Sequence, residues 1–161
     1  MKALDVARYL IAKSDNVGDP ITNKKLQKLL YYVKAWGLAY FPDGVIEEQF
    51  QAWVHGPVCP IVYQNFRQFG YNPLAIEYHG LDSSKYIKRF REQHKDEERK
   101  VDFIDAVFKK YAVLSSLQLE MLSHKEQPWI EARGDLSPIE NGSGIISEES
   151  MRTYYSKFLR K

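Results

Sequence analysis

A single cysteine, Cys59, occurs in the 161 residues. It excludes an intramolecular disulfide and a multi-cysteine zinc site, and it fits a reducing compartment. No apolar run is long enough to cross a bilayer: the richest stretch, Leu29 to Tyr40, is short and carries Lys34. Neither sign of charge dominates, since 23 basic residues meet 21 acidic ones for a net charge of +2, which gives no global drive toward nucleic acid. Glycine and proline are sparse, at nine and seven residues, so collagen-like and low-complexity chains are excluded. A glycine-rich phosphate cradle, a nucleophile elbow and a paired-histidine zinc motif on one helix turn are all missing. At the start of the chain Asp5 and Arg8 interrupt the apolar stretch a signal peptide would need after Lys2. The expectation is a cytoplasmic protein with no membrane association and no cofactor.

Aromatic residues are plentiful, with 11 tyrosines, eight phenylalanines and three tryptophans making up 14% of the chain. A chain of this length folding as one unit buries about 70% of its extended surface, enough for a core without metal or disulfide support. No repeat marks a solenoid and no linker divides the sequence. The expected architecture is mainly α: a compact single domain over residues 1–161, with about six helices and a minor short β-strand element.

Helical spacing of Leu4, Ala7, Leu10 and Ile11 predicts a first helix over about Ala3 to Ala12. A second helix follows Thr22, a suitable N-cap, with Ile21 and Leu26 as a hydrophobic staple. Its apolar face is broad (Leu26, Leu29, Leu30, Val33, Trp36 and Tyr40, widened by Tyr31 and Tyr32), which suggests a helix contacted on several sides. Alternation from Phe50 to His55 predicts a short strand that Gly56-Pro57 should stop. A third helix starts near Pro60, with Ile61, Val62, Phe66 and Phe69 inward, and Gly70 ends it. Residues 71 to 95 are poorly patterned, and Lys85 to Phe90 suits strand or helix. A fourth helix begins near Asp96 and buries Val101, Ile104, Val107, Phe108 and Tyr111. Ser115 and Gln118 form a capping box for a fifth, reaching about His124; Pro128 restarts a short piece, and Ser147 caps a last helix.

Candidate chemistry is thin. Glu120 and His124 lie one helical turn apart, but two ligands without a third do not make a metal site. Cys59 is near a helix start, yet Val58, Pro60, Ile61 and Val62 around it are apolar, so a small buried hydrophobe is the simpler reading. Lys24, Lys25, Lys28 and Lys34 form an unopposed run, five basic residues from Lys85 to Lys95 face Glu92 alone, and Arg152, Lys157, Arg160 and Lys161 are again unopposed. They suit solvated helix surfaces or a basic face that binds nucleic acid.

Three segments stand out for aromatic, amide and imidazole content: Leu26-Gln27-Lys28-Leu29-Leu30-Tyr31-Tyr32; Ala52-Trp53-Val54-His55-Gly56-Pro57-Val58, continuing to Val62-Tyr63; and Leu122-Ser123-His124 followed by Pro128-Trp129. Leu26, Leu29, Leu30 and Val33 read as core. The amphipathic residues among the rest are of the kind a protein-binding surface uses, and of the kind that also packs inside.

In order and spacing these segments resemble the Panacea family, which includes SocA-type antitoxins and phage-associated GepA-like proteins. The family pattern is an LQKLLYY-like helix, an AWxxGPV turn continuing to VY, and an LSH…PW element, and the resemblance runs from about Ala3 to Tyr155. Cys59 and Ala112 depart from it, outside the motif cores. The resemblance implies a bacterial or prophage antitoxin that neutralises a cognate toxin by direct protein–protein binding, without enzymatic activity. The SocA type also acts as an adaptor delivering its toxin to a AAA+ protease. On this reading Tyr31, Tyr32, Trp53, His55, His124 and Trp129 bind the partner, Lys28 steers it, Gly56 and Pro57 form the motif turn, and Lys88, Arg89 and Arg91 set partner choice. The rival readings are a nucleic-acid-binding phage or regulatory protein and, more remotely, a metal-dependent hydrolase built on His55, His124 and Glu120.

Overall fold

The computed structural model describes residues 1–159. It is mainly helical, with a single small two-stranded sheet among those residues. Helix α1 spans Ala3–Asn16 and buries Val6, Ala7, Leu10 and Ile11. It runs a turn past its predicted end, where the Asp15 carboxylate accepts the Tyr78 hydroxyl at 2.5 Å.

Helix α2 spans Asn23–Tyr40, and the Thr22 side chain accepts the Lys25 N–H as its cap. The broad apolar face has its counterpart in space: α2 is the central element, packed by most of the other helices and by the hairpin. Nearly all of its side chains from Leu26 to Leu38 are buried, lysines included.

Strand β1, Gln51–Trp53, pairs antiparallel with β2, Gly56–Val58, in the register Gln51↔Val58, Ala52↔Pro57 and Trp53↔Gly56. Gly56-Pro57 thus begins the return strand instead of stopping the first one. Gly56 adopts φ +108°, a conformation side-chain-bearing residues rarely take, which permits the tight reversal after Val54-His55. Pro57, which has no N–H to donate, lies on the outer strand. The opposite edge of β1 is taken by the chain before the last helix: Ala52 N–H donates to Gly144 O and Ile146 N–H to Phe50 O, each at 2.8 Å.

Helix α3 spans Pro60–Asn65 and a 3-10 turn covers Arg67–Phe69. Val62 and Phe66 point inward, but Ile61 is 57% exposed, because so short a helix presents only a narrow inner face. The poorly patterned stretch contains helix α4, Ser83–Gln93, whose Asp82 side chain caps the Lys85 N–H. It packs on α1 through Phe90, stacked on Tyr9 at 4.3 Å.

Helix α5 spans Glu98–Tyr111 and buries the five residues predicted for it. Helix α6, Ser116–His124, carries the Ser115/Gln118 capping box with both of its hydrogen bonds. Helix α7 spans Gln127–Arg133, and α8, Glu148–Ser156, is capped by Ser147. The described residues therefore hold eight α-helices against the expected six or so. One apolar cluster draws on all eight helices and on β1.

Candidate partner-binding site

The three motif segments meet at the N-terminal half of α2. Gln27 is buried there as a clamp: its Oε1 accepts the Cys59 N–H at 2.9 Å, and its Nε2 donates to Asn23 Oδ1 at 2.9 Å. Asn23 Nδ2 in turn donates to Tyr63 O at 3.2 Å. The first bond gives a partner to a buried N–H in the turn from β2 into α3, and the last takes up a carbonyl near the end of α3.

Lys28 lies beneath the hairpin, 1% exposed, and its Nζ donates to Pro57 O at 3.5 Å. Gly56 rests on its aliphatic chain, so a Cβ at position 56 would sit 2.5 Å from Lys28 Cε. Burial lowers the Lys28 amine to about 7, with nearby Glu120 acting in the opposite direction.

The third segment holds the other strand. Trp129 Nε1 donates to Trp53 O at 3.2 Å, and Arg133 donates to Ala52 O at 3.3 Å. His124 stacks on Trp129 with ring centroids 4.0 Å apart. Its imidazole is half-buried, and burial lowers its pKa.

The hairpin tip projects from this support. His55 is exposed, with Nδ1 3.1 Å from Glu120 Oε1, and Lys24 Nζ lies 2.7 Å from Glu120 Oε2. Burial raises the Glu120 carboxyl, but the bonds from Lys24 and His55 outweigh it and hold the group below its usual range. Trp53 is half-buried, edge-to-face with Tyr63 at 4.9 Å, and donates through Nε1 to Gln51 Oε1.

Of the seven side chains expected to meet a partner, His55 is exposed, and Trp53 and His124 are half-buried. Four require correction. Tyr31 and Tyr32 are fully buried, Lys28 is under the hairpin, and Trp129 is 8% exposed. Tyr31 faces Phe50 edge-on, while Tyr32 stacks on Tyr111 at 4.1 Å and donates its hydroxyl to Glu126 Oε1 at 2.6 Å. The physical reason is that α2 is covered on every side over this stretch, so even its lateral tyrosines face protein. All four are interior residues.

The rival chemistries find little support in the geometry. Burial pushes the Cys59 thiol up to about 11, which disfavours the thiolate near neutral pH. His55 and Glu120 adjoin, but among the described residues no three His, Cys, Asp or Glu side chains gather as ligands would. The lysine run of α2 does not make a basic face: Lys24 is paired with Glu120, Lys25 donates to Ala112 O, and Lys28 and Lys34 are inside. Arg91 pairs with Asp102 and Asp105, and Arg152 donates to the Leu38, Phe41 and Pro42 carbonyls. Lys88 and Arg89 are exposed, whereas Arg160 and Lys161 lie outside the described residues. Among the described residues no helix is long and apolar enough to cross a membrane.

Sequence reasoning missed the positioning residues Asn23, Gln27 and Glu126. The one available signal was their polarity on a helix or turn otherwise destined for the interior, where a polar side chain needs a partner.

Comparison with known proteins adds to this geometry. The family described as "Antitoxin SocA-like, Panacea domain" matches residues 26–130, about two thirds of the chain, including all three motif segments. Antitoxin SocA of Caulobacter vibrioides (strain NA1000 / CB15N) is 38% identical over 65 residues, which is 40% of this chain and 35% of that protein. The chain thus spans about a third of the length of the curated relative it matches. No solved structure matches.

Proposed function

The chain belongs to the SocA-like antitoxin family defined by the Panacea domain, and from that premise we propose that it is an antitoxin that holds a cognate toxin in a stoichiometric protein complex. The observation that carries the reading is the division of labour within the motifs. Gln27, Lys28, Trp129 and Arg133 are used up in bracing the hairpin and the turn after it, and the braced tip leaves His55 exposed and Trp53 half-buried. A rigid, partly aromatic projection suits capture of another protein, because little freedom is lost on binding. No bond need be made or broken at this surface, and the reading invokes no catalytic group.

The cytoplasm, where an internal toxin would act, is the fitting location, and the toxin encoded beside this gene is the fitting partner. Direct blocking is the simplest mechanism. Delivery to a AAA+ protease would use the same complex and differ only in its dependence on that protease.

The test is co-expression with the product of the adjacent gene. That product should arrest growth alone and fail to do so beside this chain, and the two should co-elute at a fixed ratio. Rescue that persists in a host lacking the protease assigns direct blocking. Arrest undiminished by co-expression refutes the antitoxin reading.

A further inference from the structure

At the C-terminal end of α2 the aromatic interior opens to solvent. An open groove of about 610 Å³ lies between α2, α5, α6 and α8, floored by Trp36, Tyr111 and Tyr155. Past Tyr40 it joins a second depression of about 280 Å³ that reaches Phe103. Tyr40 is 56% exposed, Phe158 51% and Leu122 36%. Scattered apolar residues of this kind are ordinary on a protein surface, but several around one concavity mark an interaction site.

The floor is preformed. Trp36 Nε1 donates to the Tyr111 hydroxyl at 2.7 Å, Tyr111 stacks on Tyr32, and Tyr155 meets Trp36 edge-on at 4.9 Å. An occupant would not have to order these rings.

Charge narrows the choice of occupant. Lys110 from α5 holds its Nζ 4.9 Å from the Trp36 ring and 5.2 Å from that of Tyr111. Lys125, at the end of α6, lines the same groove. Neither lysine takes part in an ion pair among the described residues. The one carboxyl in the lining, Glu126, is buried and already accepts the Tyr32 hydroxyl. The groove is therefore apolar at its floor and cationic at its rim.

We propose that this groove docks an acidic amphipathic helix of the toxin partner, with apolar side chains against Trp36 and Tyr40 and carboxylates on Lys110 and Lys125. The proposal rests on the antitoxin reading and locates a second contact surface for it, apart from the hairpin tip. A helix is the natural occupant because the groove is walled by helices, and an apolar stripe flanked by charge fits such a trough. A small ligand would find too few converging polar groups. A second copy of the chain in a two-fold contact would set the lysine-rimmed patch against itself, like charge facing like.

The experiment places a photo-crosslinking benzoyl-phenylalanine at Tyr40, at Leu122 and, separately, at Val54 in the hairpin tip, in complex with the toxin encoded by the adjacent gene. The Tyr40 and Leu122 probes should link to one toxin segment carrying apolar residues at helical spacing and flanking carboxylates. The charge reversal Lys110→Glu with Lys125→Glu should weaken toxin binding by about tenfold or more, with a smaller effect at high salt and little change in melting temperature. A linked segment without carboxylates, links only to a second copy of this chain, or full affinity in the charge-reversed variant overturns the groove assignment while the antitoxin reading stands. Failure of the unmodified chain to hold the toxin overturns the antitoxin reading, and the groove loses its occupant with it.

Discussion

The two halves of α2 use their side chains differently. In the N-terminal half Asn23, Gln27 and Lys28 turn polar groups inward to hold the β1–β2 hairpin and the turn that follows. In the C-terminal half Trp36 and Tyr40 leave part of their ring surface outside, at an open groove rimmed by Lys110 and Lys125. The most recognisable stretch of the sequence is therefore the one with least accessible surface. The physical cause is that a buried polar side chain must satisfy a specific partner, which restricts residue choice, whereas a groove wall has only to be apolar and of suitable size.

The sharpest way to break this contrast is at Gly56. Gly56→Ala adds a Cβ 2.5 Å from Lys28 Cε at a backbone φ of +108°. It should cost roughly 2–4 kcal/mol and lower the melting temperature by on the order of 5–15 °C. An unchanged melt would mean that the hairpin does not rest on Lys28. Next in size is Gln27→Leu, which strips the Cys59 N–H of its buried acceptor. A loss of about 1–3 kcal/mol in chemical denaturation is expected.

Lys28→Met probes the same region through pH. The folded-state amine titrates near 7, below its ordinary 10.5, so the unfolded chain binds this proton more readily. The group therefore costs stability at and below about pH 7, and that cost disappears as pH rises toward 10.5. Melting curves across pH should show the Met variant ahead of the parent in weak acid, with the advantage shrinking in alkali. A gain independent of pH would place the Lys28 charge in water.

The smallest effect on stability belongs to the other half of the helix. Tyr40→Ala removes an exposed ring and should shift stability by only about 0.5–1 kcal/mol in thermal melting. Toxin affinity should nonetheless fall by roughly tenfold in a binding titration, as for an interface anchor. A large loss of stability with intact affinity would make Tyr40 a core residue and dissolve the contrast.

Elements with strong local signals were legible in the sequence. The Thr22 and Ser147 caps, the Ser115/Gln118 box and the apolar spacing of α5 depend on residues close together in the chain, and each is found in space. The return strand was not legible, because Gly56-Pro57-Val58 is too short to show alternation and its first two residues ordinarily signal a turn. Nor was α4, whose polar sequence leaves Phe90 as its one buried side chain. As for the site, the three segments that assemble it could be named, but not which of their side chains face outward. Helical spacing shows that Tyr31 and Tyr32 lie beside the apolar stripe; it says nothing of Phe50, Tyr111 and Glu126, which arrive from distant parts of the chain to cover them.

The hydrogen bonds that join Gly144 to Ala52 and Ile146 to Phe50 have a consequence for synthesis on the ribosome. Phe50 is translated long before Ile146, and at ordinary elongation rates the interval is on the order of 5–20 seconds. Until then one flank of β1 has no backbone partner, and α8, which also supplies Glu148 to the buried Lys34 amine, has not been made. A nascent or prematurely terminated chain would accordingly carry the family's motifs without the finished hairpin. On the proposed reading, readiness to restrain a toxin would come only after Ile146 and Glu148 had been made.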